Sequence, residues 1–353
     1  MSNLRICLVC STIGVPCGIG DYTDSFAKAL DRAGADVLLI NNIKKGFDSI
    51  INFKPDIVNI QFEYSLYPIA DLNRFLNKLR RNGIMSIITM HGWSDWSVEE
   101  NNVIENKADR IIVLNNRFRR RLVERGNSSD KIMVIPLGFR RFRLEERAKV
   151  RARLRIPDDR KVVGMYGFFE PWKRFDKGAK AVALLQRKYP NNISLLVRSF
   201  SKNYEMAKEA EKIFGDVVKS EGVDVIEIGA RDMYLPLEKI ASVLHACDVL
   251  LYPYQELFTY SSSAAIRDGI SSFVPIVASD IPFFGDIPDG CVLKVRSGSY
   301  RDMAAAISRI FEDKVLREGM IKNQQQLAEK YSWDNIAKLW VMHFEPFVPK
   351  CFV

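Results

Sequence analysis

The sequence lacks the long apolar runs that mark membrane-spanning proteins. No stretch of about 18 or more apolar residues occurs, so no transmembrane helix is expected. The chain passes from Met1 directly into an apolar strand pattern, without the charged region, apolar core and cleavage site of a secretory signal. We therefore expect a cytoplasmic protein.

Cysteine is sparse and irregularly spaced, which argues against a zinc site. Cys7 and Cys10 form one close pair, but a structural zinc site needs a second pair with fitting spacing, and none exists. Buried free thiols are the better interpretation, and we expect neither a metal nor a cofactor. The six cysteines stand at positions 7, 10, 17, 247, 291 and 351.

The glycine-rich segment after the first strand lacks two features of a dinucleotide-binding motif. Gly18-Ile-Gly20 begins the pattern G-x-G-x-x-G, but Thr23 occupies the place of the third glycine. The acidic residue expected about 20 residues further on is missing too, because Asn41 and Asn42 end the second predicted strand. A nicotinamide or flavin enzyme is thus disfavoured, and either a turn that approaches a phosphate or sugar or a plain tight turn remains.

Positive charge is what the chain has in excess. It carries 52 Lys and Arg against 43 Asp and Glu, a net charge of +9. A phosphorylated small molecule, an anionic membrane leaflet and nucleic acid fit this balance, and so does a solvated basic helix face. No aromatic platform or zinc-finger spacing favours nucleic acid, so no such partner is expected. The arginines cluster at positions 117, 119 to 121, 140, 141, 143, 147, 151, 153 and 155.

Strand and helix patterns alternate along two halves of the chain. With 353 residues and 47% hydrophobic content, the chain exceeds what one core usually supports, which favours two domains. The alternation predicts a parallel α/β sheet in each, and two Rossmann-like halves that face one another imply a cleft. The densely charged segment 140–159 is interpreted as the linker, so we predict domains over 1–157 and 158–332, and a final helix in 333–353.

Several polar side chains follow predicted strands, where parallel sheets bind ligands. In the first half His91 could donate to a developing charge or orient a hydroxyl, while Gln61 and Glu63 are candidates for acceptor contact. The alternative interpretation of Glu63 is an ordinary charge on a surface loop. In the second half Lys173 and Arg198 could each place a cation near a diphosphate.

The segment 248–279 predicts a buried strand, a loop, a hydroxyl-rich helix start and a second strand. Ser261, Ser262 and Ser263 precede the short helix, whose N-terminal N–H groups suit a phosphate. Helix capping explains one of the three serines, and the three together favour an anion site. We therefore predict that this segment holds a phosphorylated ligand.

Taken in order, these motifs resemble those of the group 1 retaining glycosyltransferases of GT-B architecture, over almost the whole chain. They comprise the glycine segment and the stretches 55–61, 89–92, 108–113, 134–138, 167–173 and 275–279, with Ser332-Trp333 before the last helix. The resemblance implies an α/β GT-B fold of two Rossmann-like parallel-sheet domains, the N-terminal one for the acceptor and the C-terminal one for the donor. In that family the last helix crosses back to the N-terminal domain.

The same resemblance implies a function and roles for individual residues. It implies metal-independent, retaining transfer of a sugar from a nucleotide diphosphate to a glycan or lipid-linked acceptor. Gly18 and Gly20 would contact the donor, and His91 the transferred sugar. Lys173, with the amides of Ser262 and Ser263, would neutralise the departing diphosphate. Basic helices in the first half favour docking on an anionic inner membrane leaflet.

The chain departs from the family pattern at two places. Alanine stands eight residues after Glu256, where a second glutamate is usual, and counting back from Pro275 makes Asp268 the ribose candidate instead. Glu170 occupies a common arginine position, and Arg174 replaces the usual glycine. Either an arginine, at 174 or 198, supplies the missing charge or donor binding is altered. A non-catalytic GT-B carbohydrate- or nucleotide-binding protein and a nucleotide-sugar epimerase are therefore the alternatives.

Overall fold

The structure is a computed structural model that describes residues 4–200, 205–229, 235–256 and 260–347. The chain divides into two compact units. Unit 1 holds the described residues up to Gly138, together with 260–262 and those from Tyr331 on, and unit 2 holds the others. Each unit is built on its own six-stranded parallel sheet. Two Rossmann-like parallel-sheet units were predicted from the alternation of patterns, and that prediction is confirmed.

The sheet of unit 1 has the strand order β2-β1-β3-β4-β5-β6. Its central strands are rich in Val, Ile and Met and are buried on both faces, as parallel sheets covered by helices require. The strands are β1 (Arg5–Val9), β2 (Asp36–Ile40), β3 (Ile57–Phe62), β4 (Met85–Met90), β5 (Arg110–Val113) and β6 (Ile132–Val134), and the helices are α1 (Gly18–Arg32), α2 (Phe47–Phe53), α3 (Ile69–Arg81), α4 (Val98–Lys107) and α5 (Asn116–Glu124).

The sheet of unit 2 has the order β12-β11-β10-β7-β8-β9. Its strands are β7 (Lys161–Phe168), β8 (Ile193–Phe200), β9 (Val225–Glu227), β10 (Val249–Tyr252), β11 (Ile276–Asp280) and β12 (Leu293–Arg296). Its helices are α6 (Arg147–Arg153), α7 (Phe175–Lys188), α8 (Glu205–Glu221), α9 (Leu237–His245), α10 (Ala264–Ile270), α11 (Tyr300–Glu312) and α12 (Lys314–Lys330). Because all strands of a sheet run the same way, the loops that follow them gather at one edge.

The last helix, α13 (Trp333–Phe344), belongs to unit 1 and packs on α1. The Tyr22 ring meets Trp333 edge-on with centroids 4.8 Å apart, and Phe26 meets Trp340 at 5.9 Å. At the end of the contact Arg32 binds the carboxylate of Asp334 at 2.6 Å. Aromatic packing thus fixes the final helix against the first one.

The charged segment interpreted as a linker is part of unit 2, and the division of the chain falls before it, after Gly138. Arg147 on α6 binds Asp248 at 2.8 Å, and the buried Arg151 donates to the carbonyl of Ala246 at 3.0 Å. The dense charge indicated a solvated linker because sequence does not reveal which charges find partners. Here the arginines hold α6 against the start of β10.

No helix in the described part of the chain is long and apolar enough to cross a bilayer. The described residues also contain no group of three His, Cys, Asp or Glu side chains placed to hold a metal ion. The cysteines among them are free thiols, four of them buried and Cys17 half-buried. The sixth, Cys351, lies outside the described residues.

Candidate active site

His91 lies where the sequence predicted, directly after β4 at the carboxyl edge of the unit 1 sheet. Its backbone N–H donates to the carbonyl of Phe62 at 2.9 Å, and its own carbonyl accepts from the Ser261 hydroxyl. The half-buried ring stands edge-on to Tyr22, with centroids 4.7 Å apart. Burial lowers the pKa of His91 from 6.5 to about 3. The imidazole is therefore neutral at physiological pH.

Gln61 does not follow β3 as predicted but lies within it, and its side chain is fully buried. Its carboxamide stands 2.9 Å from Nε2 of His91 on one side and donates to Asn59 on the other. Asn59 in turn donates to Thr89 Oγ1 at 2.9 Å. The strand extends two residues beyond its apolar pattern, and the Gln61 side chain lies in the interior. Acceptor contact by Gln61 stays a prediction.

Glu63 follows β3 as predicted, and its carboxylate is used locally. It accepts hydrogen bonds from the backbone N–H of Ser65, at 2.9 Å, and from the Ser65 hydroxyl. These contacts stabilise the turn that connects β3 to α3. They match the alternative interpretation of a loop charge, and the predicted acceptor contact stays a prediction.

Gly18 and Gly20 lie in the first turn of α1 and not in the loop where the sequence placed them. A β-carbon on Gly20 would stand 2.3 Å from the carbonyl oxygen of Thr12, so the close approach of two backbone segments requires glycine there. A β-carbon on Gly18 would meet nothing within 4 Å. Packing therefore accounts for Gly20, whereas Gly18 has room beside it. Donor contact by either glycine stays a prediction.

Lys173 ends a short 3₁₀ turn (Pro171–Lys173) that follows β7, at the carboxyl edge of the unit 2 sheet. Its side chain is only 5% exposed. The ammonium nitrogen stands 5.3 Å from the ring centroid of Trp172, 5.5 Å from that of Phe168 and 5.7 Å from that of Tyr254. Aromatic faces attract a cation, so three rings hold this charge in place.

Arg198 lies within β8 and not beyond its end, because the strand continues to Phe200. The buried guanidinium donates to the carbonyl oxygens of Ser199 at 2.6 Å and Ile228 at 3.3 Å. A polar residue after apolar ones indicated a strand end, but an arginine can continue a strand when carbonyl groups satisfy its donors. A donor contact by Arg198 stays a prediction.

Arg174 adopts a left-handed backbone conformation, with φ of 50°, which glycine adopts more readily. The usual glycine of the resembled family at this position is therefore explained by backbone geometry. The guanidinium forks onto the carboxylate of Asp176 at 2.7 and 2.8 Å and reaches Gln255 at 3.2 Å. Of the two arginines proposed to supply a missing charge, this one is the more exposed.

The three predicted anion-binding serines use their hydroxyls in three different ways. Ser261 binds the carbonyl of His91, and Ser262 accepts from the Asn115 carboxamide at 3.2 Å. Ser263 is the N-cap of α10, where it accepts from the N–H of Ile266 at 3.4 Å. Of the three serines, only Ser263 caps the helix, and helix capping was expected to explain one of them. Phosphate binding by the segment stays a prediction.

Asp268, the ribose candidate, lies on α10 and is 4% exposed. Its carboxylate accepts from Arg140 at 2.7 Å and stands 3.5 Å from the Tyr166 hydroxyl. Counting back from Pro275 identified Asp268 as a candidate but could not reveal its partner, because Arg140 lies 128 residues earlier in the chain. Ribose binding by Asp268 stays a prediction.

Sequence reasoning missed two residues that shape these sites. Asn59 anchors the Gln61 and His91 network, and its signal was a polar side chain inside an otherwise apolar strand. Tyr22, which is nearly fully buried, lies between His91 and Trp333, and nothing local in the sequence marks it. Only the return of α13 to unit 1 brings these rings together.

Solved structures that are similar to this chain are GT-B glycosyltransferases. The sucrose-phosphate synthase of Thermosynechococcus elongatus is 17% identical with a TM-score of 0.75, over 98% of this chain and 99% of that one. A glycosyltransferase from Rickettsia africae ESF-5 is 14% identical with a TM-score of 0.77, over 99% and 100%. Anabaena HepE, solved in complex with UDP-glucose, is 14% identical with a TM-score of 0.72, over 97% and 100%. These likenesses confirm the predicted GT-B fold.

One curated protein extends the likeness to sequence. The D-inositol 3-phosphate glycosyltransferase of Nocardia farcinica (strain IFM 10152) is 26% identical over 256 residues, which are 67% of this chain and 54% of that protein. The chain thus spans about half the length of the curated relative that it matches. No family model matches the chain. The chain resembles GT-B glycosyltransferases in sequence and has their fold.

Proposed function

We propose that this chain transfers a sugar from a nucleotide diphosphate to an acceptor hydroxyl, with retention and without a metal ion. The observation that carries the proposal is the position of Lys173. Its ammonium is held among three aromatic rings at the carboxyl edge of the unit 2 sheet, where open α/β sheets bind their ligands. HepE, which has the same fold, was solved with UDP-glucose, and this supports a sugar nucleotide as the donor.

The proposed reaction depends mainly on stabilisation of the leaving group. When the glycosidic bond breaks, negative charge grows on the β-phosphate, and a fixed cation stabilises that charge most in the transition state. The rings around Lys173 exclude water and hold its side chain before the substrate arrives. The acceptor hydroxyl attacks the anomeric carbon from the face that the diphosphate leaves and passes its proton to the departing phosphate oxygen, so that no protein nucleophile is required.

The acceptor in this proposal is lipid-linked and is met at an anionic membrane surface. Trp96 is 94% exposed, and Val98 beside it is 55% exposed. Arg121 on α5 binds Asp95 at 2.8 Å, so this apolar tip lies beside a helix that carries four arginines. Tryptophan and arginine together suit the interface of an anionic bilayer. The contact is peripheral and lies on the inner face of the membrane.

A non-catalytic sugar-nucleotide-binding protein is the second candidate, and the Arg140–Asp268 ion pair favours it. The carboxylate expected to bind ribose is already bonded to a guanidinium 2.7 Å away. A chain that has lost donor turnover would keep the fold and the lysine while its ribose contact changes. Product analysis separates this candidate from the first.

The test begins with thermal shifts of the full chain in the presence of UDP, GDP, ADP and dTDP. The nucleotide that raises the melting temperature then selects the donor for incubation with extracted membrane lipids, and products are identified by mass spectrometry. A glycosylated lipid with retained anomeric configuration supports the proposal. Binding without any product supports the non-catalytic candidate, and an isomerised sugar nucleotide supports an epimerase.

A further inference from the structure

The orientation of the Asn59 carboxamide is fixed by a group that can only accept. One atom of this carboxamide stands 3.3 Å from the backbone carbonyl oxygen of Ile87, inside the sheet of unit 1. A carbonyl oxygen does not donate, so that atom is Nδ2, which also donates to Thr89 Oγ1 at 2.9 Å. The acceptor Oδ1 of Asn59 therefore points along β3 toward Gln61.

The same reasoning fixes Gln61 and then His91. Oδ1 of Asn59 can only accept, so the Gln61 atom that faces it is Nε2. The other end of that carboxamide, Oε1, stands 2.9 Å from Nε2 of His91. Because this oxygen can only accept, Nε2 of the imidazole carries the hydrogen. The buried series runs from a backbone carbonyl through two carboxamides to one ring nitrogen.

The second ring nitrogen is left available. Nδ1 of His91 has no hydrogen-bond partner among the described residues. It is also not fully buried, so it is accessible to solvent. In a neutral imidazole whose Nε2 is protonated, Nδ1 is an acceptor. It attracts a hydroxyl group and repels the oxygens of a phosphate.

We propose that Gln61, held by Asn59, is a positioning residue that fixes the Nε2–H tautomer of His91, so that Nδ1 accepts a hydrogen bond from a hydroxyl group of the donor sugar. The inference rests on the proposed function for the identity of the ligand. It assigns His91 to recognition of the sugar and excludes it from contact with the diphosphate. It also explains why a fully buried glutamine lies next to the last residue of β3, near this edge of the sheet.

The tautomer can be measured without any activity. In the full chain labelled with ¹⁵N-histidine, long-range proton–nitrogen spectra distinguish the two neutral tautomers and the imidazolium, and His91→Gln assigns the signal among the three histidines. We expect the Nε2–H pattern at neutral pH. A signal of the Nδ1–H tautomer, or of the imidazolium, overturns the proposal whether or not the chain proves to be a transferase.

Substitutions then test the part that Gln61 plays. Gln61→Met removes the acceptor at similar volume, and we expect a mixture of tautomers and a fall in kcat/KM of about five- to tenfold, the effect of one hydrogen bond. Gln61→Glu keeps an acceptor and should retain the Nε2–H proton. Gln325→Glu, the same substitution on the exposed face of α12, is the control and should change neither quantity. An unchanged tautomer in Gln61→Met contradicts the positioning role.

Ligand addition tests the hydroxyl contact. We expect the sugar nucleotide selected by thermal shift to move the Nδ1 resonance, and the matching nucleoside diphosphate to leave it in place. An equal response to both ligands, or a response to neither, overturns the sugar contact. The assignment as a transferase does not depend on this result, because product analysis decides it separately.

Discussion

Gly167 leaves the space that the ammonium group of Lys173 occupies. A β-carbon on Gly167 would stand 2.4 Å from Lys173 Nζ, well inside the contact distance of the two atoms. The glycine also has φ of +133°, a conformation that other residues rarely adopt. The position of the proposed catalytic cation thus depends on a missing side chain six residues earlier, in β7.

Gly167→Ala should displace Lys173 and lower kcat more than tenfold, since one well-placed electrostatic donor stabilises a transition state by roughly 2.7 to 4 kcal/mol. Steady-state kinetics with the identified donor measure the effect. The control is Gly215→Ala on the exposed face of α8, where a β-carbon meets nothing within 4 Å. That control should keep full activity and gain about 0.5 to 1 kcal/mol in stability. Wild-type kcat in Gly167→Ala would contradict the spatial argument.

Lys173→Met should remove the charge, while the methionine side chain still fills the space between the three aromatic rings. We expect turnover to fall more than tenfold, with the melting temperature little changed, because the proposed role of the charge is to stabilise the departing diphosphate. Lys177→Ala is the control, since that lysine lies in the first turn of α7, beside Tyr300. Kinetics of Lys173→Met that match those of the control would remove Lys173 from the site.

Arg140→Met should destabilise unit 2 strongly. The Arg140 side chain is only 13% exposed, and that of its partner Asp268 is only 6% exposed. Removing one partner of a buried ion pair costs about 3 to 5 kcal/mol. The neighbouring Arg141 pairs with Glu329 on the surface, where both side chains are more than half exposed. Arg141→Met should therefore cost about 1 kcal/mol or less. Urea denaturation compares the two variants, and equal losses would show that burial does not matter here.

The stability of the chain should depend on the neutral state of His91. Burial lowers its pKa in the folded chain from 6.5 to about 3. Between these values the unfolded chain binds a proton at this position and the folded chain does not, so protonation favours unfolding. The contribution of the neutral ring is complete above about pH 6.5 and is lost as the pH falls toward 3.

The free energy of unfolding should therefore fall more steeply between about pH 7 and about pH 4.5 in the wild type than in His91→Gln. Other groups titrate in both proteins, so the difference between the two curves isolates this histidine. Parallel curves would mean that the ring is solvated and titrates normally in the folded chain.

Trp96→Ser should weaken binding to vesicles that contain anionic lipid and leave binding to neutral vesicles unchanged. In the proposed membrane contact the exposed indole would insert at the interface while the arginines of α5 would contact the head groups. Flotation of the full chain with each vesicle type measures the bound fraction. Val315→Ser, which removes an 81% exposed apolar side chain from unit 2, is the control. Equal flotation of the wild type on both vesicle types would contradict the membrane contact.

Strand positions could be predicted where apolar runs are short and uninterrupted. The apolar stretches 4–10, 85–89 and 248–251 predict three strands, and β1, β4 and β10 lie within a residue or two of these bounds. The strands β3 and β8 run further than predicted because Gln61 and Arg198 are polar but buried. Each is satisfied by a partner distant in sequence, such as His91 or the carbonyl of Ile228.

The candidate site was only partly predictable for the same reason. The positions of His91 and Lys173 beyond strand ends could be predicted, since strand ends lie at the ligand-binding edge of a parallel sheet, while their roles stay predictions. The ion pair of Arg140 with Asp268, and the hydrogen bond from Ser261 to the carbonyl of His91, could not be predicted because they join positions more than a hundred residues apart.

The sequence by itself determined the two-sheet α/β architecture, because the spacing of apolar residues fixes which segments become strands and helices. Their alternation makes each sheet parallel, so that all strands of a sheet end at the same edge. Only the tertiary structure decided which polar side chains are committed to the protein. Hydrogen bonds and ion pairs depend on distances between residues far apart along the chain, and the burial that makes them strong exists only after the sheets and helices have packed. The neutral ring of His91 and the caged ammonium of Lys173 are both consequences of that packing.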